Sequence, residues 1–422
     1  MTTKLSLDDA DRCFREAEVF CRRDDGALWD VQLYGPMLLV EPNSRQVVAN
    51  RPDAERNLAR SDKLYVGEFP KELNVANGVA DWGRVHWTIL MWPLPAERNE
   101  RVRLMLHELW HRVQDDIGLP ATNPANGHLD TREGRYWLQL EWRALHKSLT
   151  CEGEASRRAV GDAICFRNYR RGLFPDASAE ERALEMHEGL AEYTGVRLSS
   201  SGAREAMSIA ARCLQNAPDN PTFVRSFAYA SGPAYGLLLD IYDAMWRIGL
   251  WPSDDLGLLL SDALSIPLPQ GLAAEARRRA SDYGGDALLA SETKRHRVQQ
   301  DRAADYLARL VEGPVLELPN HRMSVQFDPR NLFPLGEHGT VYPTARLTDD
   351  WGVLTASNGV LIGPDWRAAF VTAPAGPRAR PLAGDGWVLE LNEGWTVAPG
   401  QREQDYVATP VGMVRGGHLP EA

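Results

Sequence analysis

Arg101 to Gly118 reads RVRLMLHELWHRVQDDIG, and this stretch decides both the fold and the chemistry. Val102, Leu106, Leu109, Val113 and Ile117 recur at the three- and four-residue steps of one amphipathic helix. Gly118, with Pro120 just beyond, predicts its stop. His107 and His111 stand one helical turn apart, so both imidazoles leave the same face. Two imidazoles so placed can grip one Zn²⁺ at about 2.0–2.1 Å. Glu108 lies about 100° around the helix from His107, beside such an ion and not on it. That is the place for a general base acting on water activated by the ion.

Upstream, residues 5–22 read as a helix. Leu28 to Asn50 reads as strands turning at Pro42-Asn43-Ser44, and Val85 to Met91 (VHWTILM) as a strand stopped by Pro93-Leu94-Pro95. Downstream the chain stays helical, punctuated at Gly118 to Pro124, Gly172 to Pro175 and Asn216 to Pro221. From Gly313 onward short apolar runs alternate with Gly, Pro, Asn and Asp, the rhythm of a small β sandwich or barrel. The expected class is α+β. Residues 1–100 form the α/β part of the catalytic unit, 101–312 its helical core, and 313–422 a β-rich C-terminal domain.

The formal charge of -11 over 422 residues argues against a nucleic-acid or anionic-membrane partner, both of which select basic surfaces. Five cysteines, an odd number without CxxC spacing, argue against a disulfide scaffold or a structural zinc knuckle. No apolar run approaches the roughly 18 residues of a membrane span. Met1 to Leu5 lacks the apolar core of a signal peptide, so a cytoplasmic location is expected, or a secreted or periplasmic one if a signal has been removed.

A catalytic zinc takes three protein ligands and keeps one position open. Two downstream carboxylates compete for the third place. Glu141 lies in the apolar stripe of Asp130 to Leu149, a helix whose start is predicted by the capping-box spacing of Asp130 and Glu133. A carboxylate on a buried face needs a cation, zinc or an arginine such as Arg135 or Arg143. Glu188 lies in Ser178 to Leu198, with Ser178 and Glu181 again at capping-box spacing. Glu192, one turn on, faces the same way and is placed to accept the free ring N–H of a liganding histidine. Gly189 and Ala191 leave room for this helix to pack on the histidine helix. His187 also stands next to Glu188, whereas His296, His321, His338 and His418 stand outside ligand-like spacing.

Together HELWH (107–111) and EGLAEYTG (188–195) resemble the gluzincin, or peptidase MA-like, zinc metallopeptidases. The resemblance covers the catalytic helices. It implies a zincin-like helical domain, one Zn²⁺ held by His107, His111 and Glu188, Glu108 as the base, and a peptide or protein substrate. It implies Glu192 as the carboxylate that orients a liganding histidine. Tyr229-Ala230-Ser231-Gly232 is similar to the Tyr-x-x-Gly helix start of several gluzincins, which implies Tyr229 as a donor to the substrate oxyanion, with Tyr235 in reserve. His128 is a further candidate for the cleft. In gluzincins a strand placed like Val85 to Met91 forms the sheet edge that pairs with substrate; the same residues also read as an ordinary strand burying Trp87. The Gly-Ala-Met-Glu-Asn motif of one aminopeptidase branch is absent, so an anchor for a free α-amino group is not expected. Two other functions fit the same residues: a catalytically inactive zinc-binding scaffold, and a zinc hydrolase acting on a non-peptide amide, ester or epoxide.

Overall fold

Six short strands precede the histidine helix and form one sheet. They are β1 (Met37–Val40), β2 (Gln46–Ala49), β3 (Ala59–Ser61), β4 (Leu64–Glu68), β5 (Gly78–Trp82) and β6 (Val85–Met91). They lie in the order β3-β4-β2-β1-β6-β5, with only the β1–β6 pair parallel. Pro42-Asn43-Ser44 does turn the chain between β1 and β2, where Glu41 accepts from the Ser44 N–H. β6 is not the edge. It is paired on both sides and buries Trp87 completely, while β5, antiparallel to it, forms the margin.

The coordinates are a computed structural model that describes residues 5–70, 73, 75–327 and 332–412; Met1 to Lys4 and His418 lie outside them. Helices account for 46% of the described residues and strands for 19%, so the class is α+β. The chain divides into two compact units, Met1–Glu292 and Thr293–Ala422. In the second, strands between Val315 and Pro410 form sheets of seven and five strands. One apolar core draws on both, with Leu316 and Val371 from one sheet and Leu347, Leu354 and Leu389 from the other, as in a sandwich. Among the described residues no helix is long and apolar enough to cross a membrane.

The first unit is built around its histidine helix. Helix α1 (Leu7–Asp24) is followed by the sheet and by α2 (Arg98–Val113). α2 opens with Glu97 accepting the Glu100 N–H at 2.8 Å, one of the amides a helix start leaves free. Every residue from Met105 to His111 is buried. α3 (Arg132–Thr150), α4 (Gly153–Gly172), α5 (Ala177–Leu184), α6 (Leu190–Ser199), α7 (Ala203–Asn216) and α8 (Ser226–Tyr242) come after it, with α9 (Leu256–Ala263) behind them. The amphipathic reading of α2 understates its position: it is covered on several faces, by α1, by β6 and by α6, which packs along it.

Neither expected capping box forms. α3 is capped by Thr131, whose hydroxyl accepts from the Gly134 N–H, and Asp130 instead accepts from the Phe223 N–H. Ser178 lies inside α5, and Glu181 is bound by arginines. For Glu181 the arginines outcompete a local cap because they also neutralise its charge.

Candidate metal centre

α5 and α6 are one helical run joined by a π-helical turn, Glu185–Gly189. Such a turn inserts a residue into the ladder and shifts the phase of the helix beyond it. Glu188 leaves from this turn and Glu192 from the first turn of α6, so both reach His107 from opposite edges of its ring. Glu192 Oε2 lies 2.9 Å from His107 Nδ1, and Glu188 Oε2 lies 3.4 Å from His107 Nε2. Glu188 Oε2 is also 3.5 Å from His111 Nε2, and the two Nε2 atoms are 3.1 Å apart.

These three atoms form a group able to hold a metal ion. Their separations match the ~3.3 Å edge of a tetrahedron drawn with bonds of about 2.0–2.1 Å. The hydrogen bonds around them make the same point. His107 Nδ1 faces a carboxylate and His111 Nδ1 faces Gln114 Oε1 at 3.0 Å, so each Nδ1 is the donor. Both Nε2 lone pairs and a carboxylate oxygen then converge on one point, which only a cation or a shared proton satisfies.

The electrostatics favour positive charge between these groups. Burial alone pushes His107 down, but hydrogen bonds to the Glu188 and Glu192 carboxylates outweigh it and lift it to about 10. Burial would raise Glu188, yet hydrogen bonds from His107, His111 and Tyr229 hold it far below the usual carboxylate range. Burial raises Glu108, an effect that the nearby His107 and His111 only partly offset. Glu108 is 6% exposed and lines the same cleft.

Tyr229 joins this group. Its ring stacks on His107 at 5.4 Å and 8°, and its hydroxyl donates to Glu188 Oε2 at 2.6 Å. The contact depends on a close approach of α8 to the π-helical turn. A Cβ on Gly232 would sit 2.3 Å from Gly189 Cα and 2.5 Å from its carbonyl oxygen. Gly189 thus serves α8 and not α2; the close contact between α6 and α2 is at Gly195, against the Arg103 backbone. Gly232→Ala is expected to push α8 outward, lift Tyr229 off Glu188 and cost about 1–3 kcal/mol of stability. Thermal denaturation with metal titration checks this.

The other sequence candidates lie elsewhere. Glu141 is fully buried among Arg167, Arg170 and the Tyr235 hydroxyl, which donates to it at 2.7 Å. Its partners are neither Arg135, which bonds Glu292, nor Arg143, which donates to the Tyr283 carbonyl. His128 Nε2 meets Glu181 at 2.9 Å and does not line the cleft. His187 does line it, with Nδ1 2.7 Å from the Thr122 carbonyl and its ring 4.8 Å from that of His111.

Three residues at the centre belong to no motif in the sequence: Gln114, Arg103, whose Nε lies 3.4 Å from Glu192 Oε1, and Arg225, which donates to Glu188. Gln114 had a signal, its i+3 spacing from His111. A second group, His321, Asp349 and Asp350, also has metal-ligand chemistry. There, however, Asp349 already accepts the backbone N–H groups of His321, Arg322 and Asp350, which defines a turn.

The cleft around the centre is about 1360 Å³ and is walled by Gly78 and Val79 of β5, by α2, and by Ile209 and Arg212 of α7. Compared with protein families, curated proteins and solved structures, the chain matches none.

Proposed function

We propose that this chain is a zinc-dependent peptidase of gluzincin type, with His107, His111 and Glu188 as the ligands of one Zn²⁺ and Glu108 as the general base. The observation that carries the reading is the triangle of three acceptor atoms 3.1–3.5 Å apart, with both outer histidine nitrogens already committed to acceptors. Two nitrogens and one carboxylate oxygen are a donor set suited to zinc. When bound, the ion supplies a Lewis acid that polarises the scissile carbonyl and makes water acidic near neutral pH.

The rest of the work falls to side chains. Glu108 takes the proton from the attacking water and returns it to the leaving amine. Its burial favours proton uptake. Glu192 and Gln114 fix the histidine tautomers so that the Nε2 lone pairs stay turned inward. Tyr229 holds its hydroxyl proton firmly, since burial and the Glu188 charge raise its pKa well above the usual phenol value. It therefore remains a donor, placed beside the ligands where an oxyanion of the substrate develops.

The shape of the cleft favours an extended substrate. Its volume exceeds the roughly 300–1,000 Å³ of typical small-molecule pockets. β5 is paired on one side only among the described residues, and Gly78 and Val79 of that strand line the cleft. A peptide strand laid along β5 would gain main-chain hydrogen bonds while its carbonyl approached the centre.

The test is digestion of a diverse peptide mixture, read by mass spectrometry, with protein stripped by a chelator and then given one equivalent of Zn²⁺. Cleavage is expected with zinc and absent without it. Stoichiometric zinc with no cleavage of any peptide would overturn the peptidase reading in favour of a scaffold or a non-peptide hydrolase. Failure to take up zinc would overturn the site itself.

A further inference from the structure

Glu188 uses its two oxygens differently. Oε2 faces both Nε2 atoms and accepts from Tyr229, whereas Oε1 accepts from Arg225 Nη2 at 2.7 Å. Arg225 is the residue that leads into α8, and its other arm, Nη1, donates to Asn123 Oδ1 on the loop after α2. The fork is therefore tied at both tips, and a planar guanidinium held at two points has a fixed direction.

We propose that Arg225 is a positioning residue that keeps Glu188 a one-oxygen ligand. The assignment rests on the proposed metal site and adds to it the denticity of that site. The oxygens of one carboxylate are close enough together to chelate a single ion, and a free Glu188 would present both. With Oε1 committed to Arg225, only Oε2 remains directed at the histidines. One coordination position is thereby reserved for water or substrate, the condition that separates a catalytic zinc site from a closed structural one. Arg225 lines the cleft with its side chain 46% exposed, so it acts on the ligand without being part of the packed core.

Co²⁺ is the probe, because its visible band is intense in four-coordinate sites and weak in five- or six-coordinate ones. Wild type, Arg225→Gln and Arg225→Lys are titrated with Co²⁺ as full chains. The expected result is an intense band in wild type and its loss in Arg225→Gln as the second Glu188 oxygen turns in. Arg225→Lys restores part of it, since one ammonium can still hold Oε1. Thermal stability of the metal-free proteins is expected to stay level. A spectrum of Arg225→Gln that superimposes on wild type overturns the assignment while leaving the metal site intact. Absence of Co²⁺ binding to wild type overturns both.

Discussion

Replacing Glu108 by Gln is expected to leave the metal content unchanged and to lower peptide cleavage by about 10²–10⁴-fold, the usual contribution of a positioned base. The substitution keeps the size and the buried packing of a residue that is 6% exposed. It removes only the ability to take a proton. Glu108 contributes no atom to the triangle of His107, His111 and Glu188, so affinity for the ion has no reason to fall. The measurement is the cleavage rate of one peptide from the digestion experiment, compared at equal zinc content. A Glu108→Gln protein as fast as wild type would place the base elsewhere and sink this mechanism. One that lost its zinc would mean that Glu108 supports the ligands and is not a bystander to binding.

Much of the centre could be read from local spacing. His107 and His111 declare themselves at i and i+4, and Glu188 and Glu192 do the same. Spacing alone could not say which distant element answers each group. A carboxylate in an apolar stripe demands a cation, which leaves Glu141 open to zinc or an arginine; the cations are Arg167 and Arg170 on α4, a helix with no sequence mark pointing back to α3. Asp130 and Glu181 stand at capping-box spacing, yet each is claimed by a tertiary partner instead. β5 gives no strand signal, because GVADW is short and carries Gly and Asp, both poor strand formers. Its partner β6 carries a strong strand signal; the gluzincin resemblance implies an edge there, but the sheet continues one strand further and the ordinary reading, a strand burying Trp87, holds. The π-helical turn was invisible, since nothing in EMHEG distinguishes it from ordinary helix.

The second large effect lies behind the centre, where three guanidiniums, of Arg167, Arg170 and Arg171, face four carboxylates, of Glu141, Glu181, Glu185 and Asp255. Arg170 is fully buried between Glu141 and Glu181. Arg170→Met would leave two cations against four anions in the interior, so a loss of about 3–5 kcal/mol is expected. For a unit this large that lowers the melting temperature by on the order of 10 °C. Glu141→Gln acts in the milder direction, because it balances three charges against three and keeps the Tyr235 hydrogen bond; about 1–3 kcal/mol is expected. Acid should act through the same cluster. Burial would raise Glu181, but Arg170 and Arg171 hold it well below its ordinary 4.5. Its folded value is thus the lower one, so its contribution is present above pH 4.5 and is lost as the pH falls below it. Neither substitution touches the triangle of ligands, so both proteins should still bind one equivalent of zinc when folded, whereas Glu188→Gln should not. Melting curves and metal content measured on the same three samples separate the two carboxylates. A Glu141→Gln protein that melts like wild type but has lost its zinc would return Glu141 to the metal and remove Glu188 from it.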